Sequence, residues 1–163
     1  MGLFSFIKDA GEKLFGGKKV EEAAAANDTA SLAQLNAEAG AAIKQYIETQ
    51  NLGLTNLAVM FDGATGKVIL TGDAPNKEAA EKATLAAGNV ASVRDVDNNL
   101  NVADGAGSDA QYHDVASGDT LSAISKKYYG DANKYMVIFE ANKPMLSHPN
   151  KIYPGQKLRI PAL

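Results

Sequence analysis

A run of small and polar side chains, Ala103-Asp104-Gly105-Ala106-Gly107-Ser108-Asp109, most limits what this chain can fold into. It has nothing to bury and two glycines to order, so it reads as a flexible linker over 104–110. The chain must therefore build two cores, one on each side. Charge divides at the same place. Residues 1–109 carry 9 basic and 15 acidic side chains, whereas residues 110–163 carry 7 and 4. A net negative piece thus precedes a net positive one, as expected at a domain boundary.

Before the linker, apolar spacing predicts three kinds of element. Leu3, Phe6, Ile7, Ala10 and Leu14 share one face of a helical wheel, so residues 3–15 read as an amphipathic helix stopped by Gly16-Gly17. The biased stretch over 18–28 has little to bury and reads as a mobile connector or frayed helix. From Thr29 to Gln50, Leu32, Leu35, Ala39, Ile43, Tyr46 and Ile47 keep helical spacing. The runs 57–61 and 67–71 flank a Gly-containing turn and read as a hairpin. A helix over 77–87, capped by Asp73 or Asn76 and stopped at Gly88-Asn89, leads to a strand over 93–102. The order across 29–103 is α-β-β-α-β, one sheet with two helices on one face. After the linker, residues 111–163 read as β-α-α-β: strand 112–115, helix 120–128, helix 133–142 and strand 157–161. The fold class is α+β with two small domains.

Several functions are excluded or disfavoured. There is no cysteine, hence no disulfide framework or thiolate metal site. A net charge of −3 argues against general nucleic-acid binding. No apolar run reaches the ~20 residues of a membrane span. The N-terminus lacks the basic start of a secretory signal, and Phe6 stands where the myristoylation pattern needs Ser or Thr. It is expected to be retained, with a cytoplasmic location. Its charge-mixed polar face favours packing on its own domain over membrane binding. His113 and His148 are the only histidines and lack ligand spacing. No serine–histidine–acid pattern is recognisable, so an enzyme is not expected.

Two resemblances organise these elements. SGDTLSAIS at 117–125, YYG at 128–130, IFEANK at 138–143 and IYPGQKLRIP at 152–161 closely resemble a LysM domain. VILTGDAPNKEAAEKATLAAGNVASVRDVDNNLNV at 68–102 resembles a BON domain. BON followed by LysM, after MGLFSFIKDAGEKLFG, resembles a family of small bacterial cytoplasmic potassium-binding proteins. That resemblance implies a monomeric K⁺ sensor or buffer supporting growth under salt stress. It implies a site made of the main-chain carbonyls of Ile7, Ala10, Glu12, Gly88, Val90 and Val93, with residues 1–17 acting as a clasp. Such a site suits a large univalent cation, whose water shell neutral carbonyls can replace, whereas divalent ions gather carboxylates. No carboxylate motif of the EF-hand kind is present. The LysM resemblance further implies a groove for N-acetylglucosamine chains made by Gly118, Asp119, Thr120, Leu121, Ile152 and Pro154. Against it stands plain turn and cap chemistry at 117–120, which the missing export signal favours. A protein partner for LysM is the other option. The contrasting whole-chain reading is a cell-envelope module, with LysM on peptidoglycan and BON on phospholipid or protein.

Overall fold

A computed structural model of the protein describes residues 3–6, 11–103 and 110–163. In chain order these form β1 (Leu3–Ser5), α1 (Gly17–Ala25), α2 (Thr29–Thr49), β2 (Thr55–Asp62), β3 (Lys67–Ala74), α3 (Lys77–Gly88), β4 (Asp95–Val102), β5 (Gln111–Asp114), α4 (Leu121–Tyr129), α5 (Tyr135–Ala141) and β6 (Lys157–Ile160). The expected α-β-β-α-β order runs from α2 to β4, and β-α-α-β runs from β5 to β6. The fold is α+β, as expected.

In the first domain β2 and β3 form the antiparallel hairpin, with Phe61 opposite Val68 and Val59 opposite Leu70. Asp62 closes its turn by accepting from the Ala64 N–H at 3.0 Å and the Thr65 hydroxyl at 3.0 Å. β4 returns parallel to β3 after crossing over through α3. Asn76 is the cap of α3, its side chain accepting from the Ala79 N–H at 2.8 Å. Ile43 and Ile47 of α2, Ala83, Leu85 and Ala87 of α3, and Val68, Leu70 and Val96 of the sheet form one buried core. Small residues on α3 let it lie close to the sheet.

Two expectations for the N-terminal region are corrected. Residues 3–5 are a strand, not helix: β1 pairs antiparallel with β4, giving the four-stranded order β1-β4-β3-β2. Phe4 and Phe6 fit a period of two whereas Leu3 and Phe6 fit a helical one, and pairing with the open edge of β4 decides between them. Residues 11–16 are not helical either, and Gly11 takes φ +104°, outside the helical region. Conversely, the connector over 18–28 contains most of α1. Val20 and Ala23 lie one turn apart and are buried, so this helix has a face to pack after all. Val20 occupies the space above Gly63, where a Cβ would lie 1.8 Å from it.

The second domain pairs β5 antiparallel with β6 and covers that ribbon with α4 and α5. Thr120 is the cap of α4, its hydroxyl accepting from the Ala123 N–H at 3.1 Å. Gly130 ends α4 at φ +74°. The predicted helix over 133–142 begins with one turn of 3₁₀ geometry at Ala132–Lys134. Leu121, Ile124, Ile138, Phe139, Leu146, Leu158 and Ile160 form its core.

Candidate functional site

The end of α3 is where distant segments meet. After Gly88 the chain makes a turn in which the Asn89 N–H donates to the Leu85 carbonyl at 2.9 Å and the Val93 N–H to Val90 at 3.2 Å. Ser92 adopts φ +78° to complete it. The N-terminal segment lies against this turn as a short parallel bridge, Glu12 to Val90. The Glu12 N–H donates to the Asn89 carbonyl at 2.9 Å, and the Ala91 N–H donates to the Glu12 carbonyl at 2.8 Å. Four of the six residues singled out from sequence, Glu12, Gly88, Val90 and Val93, are thus gathered at one place. Ile7 and Ala10 lie outside the described residues.

The donor set here is uncharged. Val90 and Val93 are fully buried and the Glu12 side chain is exposed, so the main chain lines this point. Among the described residues, no hydrogen bond reaches the carbonyl of Gly88 or Val93. The carbonyls of Glu12 and Val90 accept one each, and a carbonyl oxygen has two lone pairs. The carboxyl end of a helix carries roughly half a negative charge. α3 has no basic side chain in its last turn to offset it. Together these features favour a cation that accepts neutral oxygen ligands. Among the described residues no group of three His, Asp or Glu side chains is placed to hold a metal ion.

Gly11, which has no role in the sequence reading, and Phe6, expected there to pack on its own domain, make this approach feasible. Gly11 lies so close to the turn that a Cβ would sit 1.8 Å from the Asn89 carbonyl oxygen. Its signal was a glycine inside an apolar pattern, which marks close backbone approach. Phe6 is buried with its ring over Gly88, where a Cβ would lie 2.0 Å from the ring. Two tyrosines close the surroundings. Burial first, and the Glu12 carboxylate second, push the Tyr46 phenol up to about 12. Burial, Tyr46 and Glu12 push Tyr153 up as well.

Tyr153 belongs to the second domain, and other residues of that domain also touch the first. The Arg159 Nε donates to Glu81 of α3, both side chains being about nine-tenths buried at 10% and 12% exposure. Asn89 Nδ2 donates to the Lys157 carbonyl at 3.0 Å, and the Lys157 N–H donates to Asn89 Oδ1 at 3.0 Å. The Lys157 ammonium lies 5.4 Å from the Phe6 ring centroid. Phe4 and Tyr112 meet edge to face at 5.1 Å.

The residues expected to form a glycan groove are dispersed in role. Gly118 forms the turn at φ +89°. Asp119 accepts from the Ala116 N–H at 2.9 Å and lies 2.9 Å from His113 Nε2. These contacts, the Ala116 one first, hold its carboxyl below the usual range. Thr120 and Leu121 border a cavity of about 410 Å³ with Tyr135, His148, Pro149 and Asn150. Ile152 packs on the domain core and Pro154 is exposed, and neither borders that cavity.

Comparison with known proteins agrees with this division. Residues 35–104 match the BON domain model and residues 113–161 the LysM domain model. Over 161 residues, 99% of either chain, the sequence is 44% identical to the potassium binding protein Kbp of Escherichia coli O6:H1. It is 50% identical over 48 residues to an uncharacterized protein of Deinococcus radiodurans, covering 29% of this chain and 18% of that one. It is 39% identical over 56 residues to the uncharacterized protein YqbP of Bacillus subtilis, covering 29% of this chain and 26% of that one.

Proposed function

The chain belongs to the family of the potassium binding protein Kbp, and on that premise we propose that it is a cytoplasmic K⁺-binding protein, a sensor or buffer serving growth under salt stress. The ion is held by the main-chain carbonyls of Ile7, Ala10, Glu12, Gly88, Val90 and Val93. The observation that carries this is the backbone pairing of Glu12 with the turn after α3. It joins two segments far apart in the chain at the negative end of a helix, where carbonyls of Gly88 and Val93 accept no hydrogen bond from described residues. K⁺ loses its water at modest cost, so several neutral oxygens can replace that shell without a carboxylate.

The N-terminal segment acts as a strap, anchored by its described residues on either side of 7–10. Phe6 anchors it in the core, Gly11 lets it approach Asn89, and the ion holds the carbonyls of both sides together. The LysM domain stabilises this closed state through its contacts with α3 and the turn. A ligand that binds only the closed state stabilises it by mass action. Calorimetric titration of the dialysed protein with KCl and with NaCl at matched ionic strength tests the function. Saturable heat with KCl alone is expected, and equal responses to the two salts would overturn it.

A second binding activity is supported by the cavity beside Thr120, which lies between the turn before α4 and the loop at 148–150. Its tyrosine, histidine and asparagine suit a saccharide, which offers an apolar ring face and hydroxyls. Titration with soluble chitooligosaccharides tests it, and an unchanged His148 signal at saturating sugar would exclude it.

A further inference from the structure

Asn89 stands where the two domains meet, and the ion-binding reading makes no use of its side chain. Its main chain belongs to the turn: it lies between Gly88 and Val90, and its carbonyl accepts from the Glu12 N–H. Its side-chain amide bonds both main-chain groups of Lys157, one as donor and one as acceptor, each at 3.0 Å. A neutral amide matched to both groups of one residue fixes position and orientation together, as a neighbouring strand would. Asn89 is separated from Lys157 by 68 positions in the chain, so this is a domain-to-domain bond.

We propose that Asn89 is the positioning residue that couples ion binding to docking of the LysM domain. The proposal rests on the K⁺ reading above. A turn that adjusts its carbonyls around an ion moves the Cα of Asn89, because that residue sits between two ligand residues. Hydrogen bonds at 3.0 Å are lost when the atoms separate by roughly another 0.5 Å. A docked β6 therefore favours one geometry of the turn, and an ion that favours the same geometry draws β6 into place. The Arg159–Glu81 pair adds docking strength between α3 and β6 from outside the turn. The coupling is reciprocal: whatever factor docking adds to K⁺ affinity, K⁺ adds to docking.

The Lys157 amide proton reports the bond directly, because it is donated to Asn89. Its exchange is followed by NMR in the full-length protein, in KCl and in NaCl at matched ionic strength, with K⁺ affinity measured by calorimetry. In the wild type KCl is expected to slow this exchange by a factor between about 5 and 150, the ordinary span of coupling between sites. Asn89→Ala is expected to weaken K⁺ binding by a factor in that span and to abolish the salt difference at Lys157. Arg159→Met, which loosens docking without touching the turn, is expected to weaken K⁺ binding in step with the loss of Lys157 protection. K⁺ binding with equal Lys157 exchange in both salts would overturn the coupling, as would Asn89→Ala binding K⁺ like the wild type. So would an Arg159→Met variant that undocks at full K⁺ affinity. Should Asn89→Ala fail to fold, the wild-type exchange and Arg159→Met decide. Absence of K⁺ heat in the wild type overturns the ion reading itself, which separates the two failures.

Discussion

Gly88→Ala should act almost entirely through Phe6. Gly88 is the last residue of α3 and needs no left-handed backbone, so alanine is conformationally acceptable there. The added methyl, however, would lie 2.0, 2.1 and 2.3 Å from three atoms of the Phe6 ring. Carbon atoms rest at about 3.5–4.0 Å, so the ring must retreat by roughly 1.5 Å. Phe6 is only 8% exposed and has no empty space to enter. Expelling it forfeits what truncating a buried phenylalanine forfeits, about 3–5 kcal/mol. Alanine returns about 0.5–1 kcal/mol as a better helix former than glycine. The expected net loss is about 2–4 kcal/mol in the BON-domain transition on urea unfolding. Phe6→Ala removes the obstacle, so the double variant Phe6→Ala/Gly88→Ala should be no less stable than Phe6→Ala alone. Both single variants should also weaken K⁺ binding, because each releases the strap. Additive losses in the cycle, or a Gly88→Ala protein within about 0.5 kcal/mol of the wild type, would refute the reasoning.

Three further outcomes follow from the same geometry. Glu12→Ala should keep K⁺ affinity within a few-fold, because its proposed ligand is the main-chain oxygen. A loss of tenfold or more, about 1.4 kcal/mol, would assign the role to the carboxylate. Gly11→Ala should abolish K⁺ binding in calorimetry, because a Cβ at φ +104° would collide with the Asn89 carbonyl; retained affinity would show that the strap does not need this approach. Stability should be lost at alkaline pH. Tyr46 ionises near 10 when unfolded and about 12 when folded, so its neutral form favours the fold fully below pH 10. That contribution disappears as pH rises from about 10 through 12, and the raised Tyr153 adds in the same direction. The urea midpoint measured across this range should fall, and Tyr46→Phe should fall less steeply. An equal slope in the variant would sink the assignment.

Much of the architecture was legible because it is local. Helical spacing in α2 and α3, the Gly-containing turn of the hairpin and the α3 cap, which sequence narrowed to Asp73 or Asn76 and the fold assigns to Asn76, each depend on neighbours a few positions away; the linker expected over 104–110 lies, but for its last residue, outside the described residues. The N-terminal region was not legible in that way. Leu3-Phe4-Ser5-Phe6 satisfies both periods, and only the free edge of β4 makes it a strand. α1 persists because Val20 finds the space above Gly63, which nothing in the local composition announces. The candidate ion site is a harder case. Main-chain carbonyls occur at every residue, so they leave no side-chain signature. Glu12, Gly88, Val90 and Val93 were named through family resemblance and Phe6 was expected to pack on its own domain, while Gly11, which lets the two segments of the site approach, was not named. Asn89 read only as a helix stop, and its bonds to Lys157 exist because two domains with different cores come to rest against each other. Sequence by itself determined the elements from α2 onward and the two cores, since these follow from short-range periodicity and burial. Tertiary structure decided which distant backbones touch, because that depends on the shapes left over once both cores have packed.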